Sequence, residues 1–150
     1  MLQQWMDSRM IDQQMQKQDE DKQTEDMLSS YVQTVDGVQI VTINTKEFKF
    51  IPSEIHINAG KTKFILVNSG VAEHELVVYN ASKKDIIAKA ELVEDEETIE
   101  KNILFEIEEV YAGESSETDI INLQEGSYVI GCHIAGHYEA GMYGTIIIES

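Results

Sequence analysis

Cys132, His137 and Met142 stand in the segment Cys132-His-Ile-Ala-Gly-His137-Tyr-Glu-Ala-Gly-Met142, which offers a thiolate, an imidazole and a thioether to one point in space. Soft sulfur with imidazole selects copper among the abundant ions. Two histidines and a thiolate in a trigonal plane, with a weak axial methionine, form an electron-transfer copper site. The loop carries three of those four donors, so another part of the chain must supply the second histidine, and His74 is the candidate.

The strand before the loop has to aim the thiol. A period of two puts Tyr128, Ile130 and Cys132 on one face and Val129, Gly131 and His133 on the other. If Cys132 points at a metal inside one end of a sandwich, His133 points away. Gly136 and Gly141 let the loop fold back sharply, so that His137 and Met142 approach the thiolate. Gly144 then frees the chain to re-enter the sheet. His74 follows the Asn68-Ser-Gly70 turn and Val71-Ala-Glu73, and so opens a strand at an end of the sandwich.

The wider pattern supplies such a scaffold. From Asp36 onward, short apolar runs are cut by turn residues, which predicts an all-β Greek-key sandwich or barrel of about eight strands. Strands are expected at 38–44, around Phe48 and Phe50, around Ile55 and Ile57, and at 62–68, 74–79, 86–93, 103–107, 119–123, 127–132 and 143–149. Pro52 breaks its run where a ladder bond can be spared. Glu94 to Glu100 reads as an acidic loop or one helical turn between strands, and no long helix is expected.

Residues 1–35 form a separate extension, and 36–150 the β domain. The first thirty residues are rich in Gln, Asp, Glu and Lys and contain neither Gly nor Pro, so they read as helix or disordered tether. Met1, Leu2, Trp5, Met6 and Met10 make a short apolar stripe. A rarer reading has Met6, Met10, Met15 and Met27 handling copper as thioethers, although methionines at helical spacing usually pack.

A chain of 150 residues, 42% of them hydrophobic, suits one domain with a sizeable core. Its single cysteine excludes an internal disulfide. No run approaches the roughly 18 apolar residues of a membrane span, and no signal-peptide pattern opens the sequence. Eleven Lys and Arg against 28 Asp and Glu give a formal charge of -17. Such a surface repels nucleic acid and anionic membranes, keeps the chain soluble, and attracts a basic protein partner.

The sequence resembles the cupredoxins, the small blue copper proteins that include plastocyanin, azurin and rusticyanin. Phe48-Lys-Phe-Ile-Pro52 and Glu54-Ile-His-Ile-Asn-Ala-Gly60 are similar to the family's opening strands. Val67-Asn-Ser-Gly70 with Glu73-His-Glu75 resembles its first-ligand region, and Cys132 to Gly144 its ligand loop. The Cys-x4-His-x4-Met spacing is that of rusticyanin and sulfocyanin. The resemblance implies that His74, Cys132, His137 and Met142 hold one copper ion cycling between Cu(I) and Cu(II). It implies an electron carrier rather than an enzyme, placed in the periplasm or at the cell surface. It also implies redox donor and acceptor proteins, such as a basic cytochrome or a membrane oxidase, with a possible membrane tether beyond the acidic extension. The family assigns no required role to His133. His56 shares a face with Glu54 and Asn58 and is expected to be solvated.

Two other readings use the same residues. A copper carrier or buffer would bind the metal and release it without a redox role. A cysteine nucleophile built on Cys132 and His137 would need an orienting third residue and an oxyanion-forming loop, and neither is evident.

Overall fold

Two sheets face each other across an apolar interior. The structure, a computed structural model, describes residues 31–134, 137, 138 and 141–150. The expectations for the N-terminal tether and its methionines lie outside the described residues. One sheet runs β1 (Val32–Val35), β2 (Val38–Lys46), β5 (Gly60–Asn68), β8 (Ser115–Glu117), with β3 (Lys49–Ile51) paired to β2 and β9 (Ile121–Leu123) paired to β5. The other runs β4 (Glu54–Asn58), β11 (Tyr143–Glu149), β10 (Gly126–Gly131), β6 (His74–Asn80), β7 (Phe105–Val110). The pairs β2–β5 and β4–β11 are parallel and the other pairs are antiparallel.

Alternation along the strands builds the core. Val41, Ile43, Phe64 and Leu66 from the first sheet and Ile55, Leu76, Ile130 and Ile146 from the second are at most 1% exposed. Each points inward at a period of two, as a half-buried strand requires. On β10 the inward series Tyr128, Ile130 continues to Cys132, which delivers the thiol to one end of the core.

Three details depart from the sequence reading. First, the sheet begins at Val32 and not at Asp36. Val35 pairs with Val38 across a tight turn in which Asp36 and Gly37 both take positive φ, +53° and +80°. Such a turn suits the twist of a two-residue hairpin, and Asp-Gly is its sequence signature.

Second, the expected strand at 86–93 is a helix, α1 (Lys84–Leu92), reached through a 3-10 turn at Ala81–Lys83 that Asn80 caps. Ile87 and Ala90, three residues apart, are its buried face, while Ile86, Leu92 and Val93 are exposed. Apolar residues on both faces hid the helical period. A second helix, α2 (Glu96–Asn102), is capped by Asp95, whose carboxylate accepts from the Thr98 amide and hydroxyl. Ile87 packs on Val77 and Tyr79 of β6, with Ile99, Ile103 and Val129 around them. This explains why β6 is apolar on both faces.

Third, eleven strands occur among the described residues, more than expected. The additional edge strand β8 is polar and exposed. Its pairing with β5 lies in the backbone, where no hydrophobic pattern announces it.

Candidate metal centre

The centre forms where β6 begins, β10 ends and the 132–142 loop returns to β11. Asn68, 1% exposed, organises the approach to His74. Its side-chain amide donates to the carbonyls of Ala72 and Val110, each at 2.8 Å, and its oxygen accepts from the Gly70 amide at 2.9 Å. The backbone between β5 and β6 is thereby satisfied inside the protein, as buried polar groups must be. His74 emerges fully buried at the first position of β6.

Cys132 is also fully buried. Its amide donates to the Met142 carbonyl at 3.2 Å, and the Met142 amide donates to the His137 carbonyl at 3.1 Å. The expected fold-back therefore exists, with Gly141 at φ +103°. Met142 is fully buried between two backbone tethers to this set. Gly136, the other expected hinge, lies outside the described residues.

The donor atoms of His74, Cys132 and His137 all lie within 4.8 Å of one another. This is close to what one ion with bonds of about 2.0–2.3 Å requires. The sulfur of Cys132 is 3.4 Å from Nδ1 of His137, and the two imidazole centroids are 5.1 Å apart. Both ring nitrogens of His74 are buried with no hydrogen bond among the described residues, Nε2 having the Glu47 carboxylate 3.5 Å away. A buried imidazole with an orphaned nitrogen, set beside a thiol and a second imidazole, is costly unless a metal satisfies it. The residues present therefore fit a copper ion with soft and imidazole donors.

Electrostatics point the same way. Burial pushes the Cys132 thiol above its ordinary value, opposed by the amides of Glu75 and Ile134. A buried, protonated thiol is a poor attacking nucleophile, which argues against the cysteine-enzyme reading. Burial, and then the neighbouring His137, hold His74 below the usual histidine range, while the Glu47 carboxylate pulls it back up. The Ala72 and Val71 amides, and then His74, keep Glu47 below the usual carboxylate range. His74 is thus a neutral imidazole, the form that ligates metal.

Two contributors, Glu75 and Phe48, carry no metal-donor signature and were given no role at the site from the sequence. Glu75 donates its amide to the sulfur of Cys132 at 3.4 Å and accepts the His133 amide on its carboxylate at 3.1 Å. Phe48 sets its ring edge-on to His137, with centroids 5.2 Å apart, and is itself 43% exposed. His137 is half-buried, unlike the other two donors. His133 turns away from the centre as period two requires. It pairs with Glu91 of α1 and stacks on Tyr138 at 5.0 Å. His56 is half-exposed, 3.6 Å from Glu54.

Comparison with known proteins identifies the arrangement. The family of copper binding proteins described as plastocyanin/azurin matches residues 38–149. A copper-resistant cuproprotein, CopI of Rubrivivax gelatinosus, is 31% identical over 114 residues, covering 75% of this chain and 66% of the relative, just under two thirds of its length. Auracyanin A, a "blue" copper protein from Chloroflexus aurantiacus, superposes with a TM-score of 0.62 at 22% identity, over 75% of this chain and 100% of its own. An azurin, Az-iso2 from Methylomonas sp. strain J, superposes at 0.61 and 16% identity, over 74% and 98%. At these identities the two structures speak for the fold. The matched span contains the whole histidine, cysteine and histidine cluster. The chain belongs to the plastocyanin/azurin family of copper-binding proteins, and its centre suits a single copper ion.

Proposed function

We propose that this chain carries single electrons between redox proteins, with His74, Cys132, His137 and Met142 as the residues that would hold the copper. Bound there, copper supplies a one-electron Cu(I)/Cu(II) couple. The observation that carries the reading is the burial pattern of the donors. His74 and Cys132 are fully enclosed, and His137 alone is half-buried. The enclosed donors exclude water from the sulfur, and the sheet ends hold them in place. The Glu75 amide supports negative charge on the sulfur. The half-buried His137 ring, beside the exposed Phe48, is where we place the brief contact with a redox partner.

With four donors on one ion no position would be left for a substrate, which supports a carrier over an enzyme. The charge of -17 favours a basic donor or acceptor, such as a cytochrome or a membrane oxidase. Family membership supports a place outside the cytoplasmic membrane, periplasmic or at the cell surface. No described helix is long and apolar enough to cross a membrane. A tether through the N-terminal residues belongs to the same proposal.

The similarity to a copper-resistant cuproprotein favours a second reading, in which the same ligands sequester or deliver copper. One preparation separates the two. Cu(II) added to apo-protein should give an intense thiolate-to-copper absorption that is lost in Cys132→Ser. Voltammetry should then show a reversible one-electron couple, and a competing chelator should remove the metal slowly. Rapid loss to the chelator without a reversible couple would establish the carrier reading and defeat electron transfer.

A further inference from the structure

Glu47 lies in the short turn between β2 and β3 and touches the site from outside the ligand loop. Its Oε1 accepts hydrogen bonds from the amides of Val71 and Ala72, at 2.7 and 2.9 Å, and lies 3.5 Å from Nε2 of His74. The His74 ring is fully buried, whereas the Glu47 side chain is 37% exposed. Both ring nitrogens are buried without a hydrogen bond among the described residues, and the carboxylate lies beside Nε2, on the side of the ring away from Nδ1. One face of the imidazole is therefore occupied by a carboxylate, and the other nitrogen is left for metal.

Two further observations indicate that this carboxylate is held in place. A Cβ at Gly70 would collide with the Glu47 carboxylate, so glycine there is what lets the side chain reach the Val71 and Ala72 amides. The residue after Glu47 is Phe48, which takes φ +62°. That region is uncommon for a bulky residue. The turn so formed places Glu47 on His74 and Phe48 on His137, one contact on each imidazole.

We propose that Glu47 is a positioning residue of the copper centre, whose carboxylate fixes the orientation of His74 through Nε2 and favours Cu(II) over Cu(I). The proposal rests on His74 being a copper ligand. A carboxylate on the outer nitrogen of a ligating histidine sets the tautomer and raises the basicity of the nitrogen facing the metal. A fixed negative charge near the centre also stabilises the more positive oxidation state.

Glu47→Gln separates charge from shape, because the amide oxygen can still accept from Val71 and Ala72. Gly70→Ala displaces the carboxylate while leaving its charge unchanged. Glu47→Gln should melt like wild type as apo-protein, and both variants should keep the thiolate-to-copper absorption. Both should bind Cu(II) about 10- to 100-fold more weakly, the range seen when such outer partners are removed. A tenfold loss confined to Cu(II) appears as a reduction potential raised by about 59 mV for a one-electron couple. Wild-type Cu(II) affinity and potential in folded Glu47→Gln would overturn the positioning role. His74→Ala tests the underlying assignment: a wild-type absorption there would show that His74 is no ligand, independently of what Glu47→Gln does.

Discussion

The backbone amide of Glu75 points at the sulfur of Cys132 across 3.4 Å, joining the start of β6 to the residue that follows β10. This contact links the strand that carries His74 to the strand that carries the thiol. It also supplies partial positive charge to a sulfur that burial otherwise holds protonated.

A proton must therefore leave when copper enters. The thiol titrates above its ordinary value, so at neutral pH the metal displaces its proton, and the observed affinity falls as pH falls. Copper(I) affinity measured by chelator competition between about pH 6 and 8 should weaken by about tenfold per pH unit. An affinity independent of pH would show that the thiolate is already formed in the apo-protein.

His133→Ala should cost stability while sparing the copper spectrum. The imidazole pairs with Glu91 and stacks on Tyr138, on the face of β10 opposite to the thiol. Removing it takes away the Glu91 pairing and the stacking surface for Tyr138, at a cost of about 0.5–3 kcal/mol. Chemical unfolding would report the loss, and an unchanged thiolate absorption would confirm that the residue after the cysteine serves the helix contact.

The acidic surface should govern encounter with a basic partner. Charges on an exposed surface are screened beyond about 8 Å at physiological ionic strength. The second-order transfer rate to a cationic redox protein should fall steeply as salt is added. A flat salt dependence would remove the steering role from the carboxylates.

Glu106 offers a test of pH and stability away from the metal. Burial, and then Glu108 beside it, push its carboxyl above the ordinary value. A raised folded value means that ionisation penalises the native state. The penalty is present at neutral pH and disappears as pH falls through the folded value toward the unfolded one. Glu106→Gln should therefore raise the melting temperature at about pH 7.5 and give no gain near about pH 3.5. Because the group is largely exposed, the neutral-pH gain is on the order of 0.5 kcal/mol.

Much of the molecule was legible in residue order. Strands β2, β4, β5, β6, β10 and β11 alternate apolar and polar residues or run apolar between turn signals, and they form where that pattern places them. Asp36-Gly37 carried an equally direct hairpin signal, but it fell at the expected boundary with the extension. The helix α1 was read as a strand because Ile86, Leu92 and Val93 are apolar without being buried. Its buried pair, Ile87 and Ala90, has meaning only against Val77 and Tyr79.

By itself the sequence determined the donor chemistry, because thiolate, imidazole and thioether at fixed loop spacing select copper through ligand softness, a property of the side chains. It also determined which face of β10 carries the thiol, because strand period is a property of the backbone. Only the tertiary structure decided that His74 meets Cys132 and His137, and that Glu47, Phe48 and Glu75 surround them. Those residues come from separate strands and turns, and their approach is set by sheet pairing and by long-range packing that no local spacing encodes.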